Sequence, residues 1–147
     1  MANFQIIVGS MLGGSEYVAE ACQEVLESHN HQTQLHLTPD FQKIAIKDQT
    51  WLICSSTHGA GDYPDNIQCF VDNLTDTDLD LTSTKFFVIG LGDSNYDTFC
   101  HAAINIQNLL KSKGSTEVIP ILKLNMIDDL DPEEEAKKWI LKNIDQL

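Results

Sequence analysis

Phe4-Gln5-Ile6-Ile7-Val8-Gly9-Ser10-Met11-Leu12-Gly13-Gly14-Ser15-Glu16 contains the change of pattern on which the fold turns. Residues 4–9 form a short apolar run ending in Gly-Ser, the pattern of a strand buried on both faces. From Ser15 the period changes. Val18, Ala21, Cys22, Val25 and Leu26 fall at i, i+3, i+4, i+7 and i+8, one stripe of an amphipathic helix. His29-Asn30-His31 closes that helix. Strand, glycine-rich turn and helix in direct succession form the first half of a βαβ unit.

The alternation repeats along the chain. Residues 34–37 read as a weaker alternating strand, and Trp51-Leu52-Ile53-Cys54-Ser55 as a stronger buried one. Asp65-Asn66 can cap a short helix carrying Ile67, Phe70, Val71 and Leu74. Phe86-Phe87-Val88-Ile89-Gly90 is the most hydrophobic strand. A helix from about 99 to 113 places Ala103, Ile106 and Leu110 on one face, and Gly114 stops it. Residues 118–124 give the fifth strand. The last helix has Asp131 as cap, Pro132 at its first position, glutamates in the first turn and lysines later, with Ala136, Trp139, Ile140 and Ile144 as its core stripe. Strands separated by helices predict an α/β fold, a doubly wound three-layer sandwich with a five-stranded parallel sheet in the order 2-1-3-4-5. Ligand is expected at the carboxyl ends of the strands.

Composition narrows the class. The 147 residues fit one domain, 1–147, at roughly 100–200 residues per domain. Nine lysines, no arginine and twenty-two carboxylates give a formal charge of −13. That balance argues against nucleic acid and anionic membrane as partners, since both need a cationic footprint. The 42% apolar content excludes a disordered acidic tail. No apolar run approaches the ~20 residues that span a bilayer, and Met1-Ala2-Asn3 leads into a strand rather than a signal peptide. Cys22, Cys54, Cys69 and Cys100 are widely spaced, with no zinc-like pattern, which predicts reduced thiols in a cytoplasmic protein.

Three loops carry the chemistry. The first, Gly9 to Glu16, opens a helix, so backbone N–H groups and the helix dipole can hold an anion there. Gly9 and Gly14 have Walker-type spacing, but Ser15-Glu16 stand where Lys-Ser/Thr would serve a triphosphate. A single phosphate held by amides and the Ser10 and Ser15 hydroxyls suits the loop, as does a plain strand-to-helix turn with Ser15 as cap. The second loop is Ser55-Ser56-Thr57-His58-Gly59-Ala60-Gly61-Asp62-Tyr63-Pro64-Asp65-Asn66. Its glycines permit close approach to a flat ligand edge, or simply a flexible turn. The third is Gly90-Leu91-Gly92-Asp93-Ser94-Asn95-Tyr96-Asp97-Thr98-Phe99-Cys100. Tyr96 offers a face for stacking on a conjugated ring, while Phe99 and Cys100 begin the helix and pack inward. These loops follow strands one, three and four, which are neighbours at the switch point of a 2-1-3-4-5 sheet.

Taken together, GSxLGGxEYVAE, SSTHGAGDxPDN, GLGDSNY and YDTFC resemble the FMN-binding loops of the flavodoxin-like family, short flavodoxins in particular. The resemblance covers essentially the whole chain. It implies that Ser10, Met11, Leu12, Gly13, Gly14 and Ser15 bind the ribityl phosphate. Thr57, His58 and Gly59 would line one edge of the isoalloxazine, with Ser56, Ala60 and Gly61 also in the cofactor site. Leu91, Gly92 and Asp93 would supply backbone contacts near the ring and Tyr96 would stack on its outer face, with Asn95, Phe99 and Cys100 also in the cofactor site. Met11 and Leu12 stand where flavodoxins usually offer threonines, and His58 where many relatives place Tyr or Trp.

The function so implied is single-electron transfer by bound FMN, without substrate catalysis. Rim carboxylates such as Asp62, Asp93 and Asp97 would disfavour a fully reduced, anionic flavin and steer docking onto basic partners. In this family those are an NADPH-dependent flavodoxin reductase and an acceptor such as biotin synthase, met by a monomer or weak homodimer. A phosphoryl receiver shares the winding but needs acidic residues where Gly9-Ser10 and Ser55-Ser56 stand. Direct NAD(P)H-quinone reduction lacks an arginine for a 2′-phosphate. A flavin-free regulatory or binding module is the remaining alternative.

Overall fold

A computed structural model of the chain describes residues 2–10, 13–57, 61–95, 100–127 and 131–147. Among them are strands β1 (Asn3–Gly9), β2 (Gln32–His36), β3 (Thr50–Ser56), β4 (Lys85–Gly92), β5 (Thr116–Glu117) and β6 (Leu122–Asn125), joined by helices except between β2 and β3, where only a 3-10 turn at Phe41–Lys43 intervenes, and between β5 and β6. The helices are α1 (Gly14–Ser28), α2 (Asp65–Asp76), α3 (His101–Ser112) and α4 (Pro132–Lys142). The sheet runs β2-β1-β3-β4-β5, with β6 also on β4, and every pairing is parallel. This is the doubly wound 2-1-3-4-5 order that the periodicity predicts.

Strand alternation divides the core in two. Phe4, Ile6 and Val8 of β1, Leu52 and Cys54 of β3, and Phe87, Ile89 and Leu91 of β4 meet α1 and α4 on one face. Ile7, Trp51, Ile53, Phe86 and Val88 point the other way, against the apolar stripes of α2 and α3. On that second face the Trp51 indole donates to Ala45 C=O at 2.9 Å and packs among Phe41 and Phe70. No helix of the described residues is long and apolar enough to cross a membrane.

Five local details differ from the sequence expectation. The second strand begins at Gln32, two residues early. The fifth lane is in two pieces, β5 and β6, both on the side of β4 that β3 leaves free. Pro120 lies in the gap and has no N–H to give the ladder. At α2 the cap position belongs to Pro64, so Asp65 lies in the first turn and the Asn66 side chain is free for other work. Helix α3 begins at His101 after Cys100, which takes a left-handed conformation at φ 55°. Ile144 lies in a 3-10 turn beyond α4.

Two histidines secure the edge strand β2. His31 Nδ1 accepts the Ala2 N–H at 2.9 Å, and His36 Nε2 meets Gln5 Oε1 at 2.7 Å. Burial holds both rings below the ordinary value of 6.5. The unfolded chain therefore takes up these protons first as the pH falls. Their contribution is present above about pH 6.5 and is lost on acidification toward the folded values. Denaturant melts of wild-type protein and a His31→Gln/His36→Gln variant at about pH 7.5 and 5 test this. Wild type should lose stability relative to the variant at the lower pH, and a constant difference would refute the assignment.

Candidate functional site

Register brings the loops to one edge. Gly9 pairs with Ser55, Ser55 with Gly90, Ser56 with Leu91, and Gly92 with Asn125. The chain thus leaves β1, β3, β4 and β6 at the same level, at the carboxyl end of the sheet, where the switch point lies between β1 and β3.

The first loop is built for compactness. A Cβ on Gly9 would lie 2.5 Å from Ser55 Oγ and 3.1 Å from Ile67 Cγ2, so only glycine lets β1 pass there. Gly13 holds the N-cap position of α1 at φ 88°, and no side chain among the described residues caps the helix. Ser10 Oγ accepts the Gly13 N–H at 2.7 Å, closing the loop and leaving the hydroxyl proton to point elsewhere. Ser15 is inside the helix rather than its cap. Its hydroxyl is buried, the residue being 1% exposed, and is without a hydrogen-bond partner among the described residues.

The other two loops are braced by side chains from a distance. Thr57 Oγ1 accepts the Ala102 N–H at 3.1 Å, so a second-loop residue caps the start of α3 where Cys100 does not. The Cys100 side chain is fully buried under Gly90, and burial pushes its thiol up to about 11, which leaves it a packing group at neutral pH. Leu91 is buried in the α1/α4 core, with its backbone at the sheet edge. Asp93 accepts the Asn95 N–H at 2.8 Å. Asn125 accepts from Ser94 N–H at 3.2 Å and donates to Ser94 Oγ at 2.7 Å, while Met126 N–H reaches Gly92 C=O. Gly61 and Asp62 lie at the edge, partly exposed and exposed.

Of the residues singled out in the sequence, Ser10, Gly13, Gly14, Ser15, Ser56, Thr57, Gly61, Leu91, Gly92, Asp93, Asn95 and Cys100 are thus placed. Met11, Leu12, His58, Gly59, Ala60, Tyr96 and Phe99 lie outside the described residues, as does Asp97. The sequence reading gave Asn66 only a capping role, whereas its carboxamide reaches the first loop, and it missed Asn125. It also missed Met126 and Ile127, half-exposed apolar side chains just past β6. Asn66 and Asn125 each follow directly on a residue already read as a loop or strand end.

The comparisons with known proteins agree with this arrangement. A family model described as Flavodoxin matches residues 6–139. The chain belongs to the flavodoxin family. This flavodoxin is 42% identical to the Protein MioC homolog of Pasteurella multocida (strain Pm70), over 97% of this chain and 96% of that protein. It is 40% identical to Protein MioC of Escherichia coli (strain K12), over 95% of each. Among solved structures, a cysteine-to-serine mutant of Flavodoxin from Pseudomonas aeruginosa superposes with a TM-score of 0.91 at 28% identity, covering 99% of this chain and 98% of that one. The family's members carry electrons on a bound flavin and do not catalyse turnover of a substrate.

Proposed function

We propose that the chain is a single flavodoxin-like domain, residues 1–147, that binds FMN and passes single electrons from an NADPH-dependent reductase to an acceptor enzyme in the cytoplasm. The observation that carries this reading is Ser15. A buried hydroxyl with no partner among the described residues, in the first turn of a helix that no described side chain caps, is a donor set lacking its acceptor. No lysine occurs in any of the three loops, so the set suits one phosphate bound by hydroxyls and amides rather than a polyphosphate.

When bound, FMN would supply reversible one-electron chemistry. The chain's own part is to hold the phosphate at Ser10, Gly13, Gly14 and Ser15. Ser56, Thr57, His58, Gly59, Ala60 and Gly61 would border the ring on one side. Leu91, Gly92, Asp93, Asn95 and Tyr96 would border it on the other, backed by Phe99 and Cys100. Asp62 and Asp93 keep negative charge at the rim. With a net −13 overall, they favour docking on basic patches of a flavodoxin reductase and of an acceptor, biotin synthase being the candidate the motif resemblance suggests. Neither nucleic acid nor membrane is a partner, and the protein works as a monomer or weak homodimer.

Titrating purified apo-protein with FMN, then reducing it stepwise in a spectroelectrochemical cell, tests the reading. Expected are one bound FMN per chain at micromolar protein and two resolved one-electron reductions. The complex should oxidise NADPH negligibly by itself and rapidly with a reductase, at a rate that falls as salt is raised. A protein that stays colourless would overturn the reading in favour of a flavin-free module.

A further inference from the structure

The Asn66 carboxamide lies where β1 and β2 part. Backbone pairing between those strands ends at Ile7 and His36. Beyond it, Asn66 Nδ2 donates to Val8 C=O at 2.8 Å and to Leu37 C=O at 3.0 Å, and Oδ1 accepts the Ser10 N–H at 2.8 Å. Val8 C=O and Ser10 N–H point to the same edge of β1, because a strand alternates its peptide groups. The side chain therefore occupies the place of a β2 peptide unit and continues the ladder past the last paired residue. Its acceptor oxygen and both donor hydrogens are all engaged.

We infer that Asn66 is the positioning residue of the first loop, fixing where Ser10 leaves the sheet and so aiming the hydroxyl donors of that loop. The inference rests on the reading of this loop as the phosphate half of an FMN site. With its N–H given to Asn66, Ser10 keeps only its hydroxyl for a ligand. That hydroxyl already accepts from Gly13, so its proton is directed away from the loop's own backbone. Asn66 belongs to α2, which the second loop leads into. One carboxamide thus ties the ring-side segment to the phosphate-side segment, although 56 residues separate it from Ser10. Supporting groups of this kind touch no ligand yet set the geometry of those that do.

Amide hydrogen exchange on the apo-protein, together with the ratio of affinities for FMN and riboflavin, tests the role. The two flavins differ only in the phosphate, so the ratio isolates this loop. Ser10 N–H should exchange slowly in wild type and rapidly in Asn66→Ala. The ratio should fall about tenfold in that variant, with riboflavin affinity changed by less than about threefold. Asn66→Asp turns an anionic oxygen toward two carbonyls and removes both donated hydrogens. Its loss of selectivity, measured against wild type at the same pH, should shrink as acid restores a proton to that carboxyl. A purely structural residue would lower both affinities together, with no recovery in acid. Rapid Ser10 exchange in wild type, or wild-type ratios in both variants, would overturn the role of Asn66 alone. Equal wild-type affinity for the two flavins would overturn the phosphate reading, and the role with it.

Discussion

Ser15→Asp should remove most of the affinity for FMN, on the order of a hundredfold or more, because it sets a carboxylate against a phosphate in a site shielded from water. Ser15 is 1% exposed, so solvent does little to screen the repulsion. Riboflavin, which lacks the phosphate, should keep its affinity within about threefold in the same variant, since no like charge opposes it. Ser15→Ala separates the two consequences of the hydroxyl. Removing an unpartnered buried polar atom should raise the stability of the apo-protein by up to about 1 kcal/mol. The same change deletes a donor and should weaken FMN binding about tenfold. Melting the apo-protein and titrating it with both flavins reads all of these. If Ser15→Ala lowers stability and leaves FMN affinity intact, the hydroxyl serves packing and not the ligand.

Gly90→Val should lower the unfolding free energy by about 3 kcal/mol, at the upper end of the usual cost of overpacking. Gly90 sits in β4, between β3 and the β6 lane, with α3 pressed onto it. A Cβ there would stand 2.8 Å from Ala103 Cβ and 3.2 Å from Cys100 Sγ. The first neighbour is fixed to helix backbone and cannot swing aside. Relief requires α3 to move outward, which would pull Ala102 from Thr57 and weaken flavin binding as well. Adding Ala103→Gly should recover part of the stability, even though that change alone costs about 1 kcal/mol in a helix interior. Strict additivity in denaturant melts of the double variant would show that the clash is not the cause.

The framework was legible in the sequence because it depends on local periods. Val18 through Leu26 and Phe86 through Ile89 announce helix and strand without reference to the rest of the chain, and right-handed crossovers limit their arrangement. The broken fifth lane was legible in principle from Pro120, but an apolar run on both sides of a proline reads as one strand until pairing is seen. The bracing of the site was not legible. Asn66 and Thr57 have ordinary local uses in caps and turns, and their actual partners lie far along the chain at Val8, Ser10, Leu37 and Ala102. The left-handed Cys100 was hidden for the same reason. The residue has no such preference, and its conformation accompanies burial beneath a glycine that the sequence places ten positions earlier.

The divided lane beside β4 also bears on how copies of the chain behave toward one another. A continuous free strand is a template on which a second molecule can add its own, and sheet proteins at high concentration aggregate by that route. Here the margin consists of Thr116–Glu117 and Leu122–Asn125, with Pro120 between them. An incoming strand would find two short ladders and no register that serves both. The irregularity that divides this lane guards that margin of the sheet against addition, which leaves β2 as the margin with an unbroken strand.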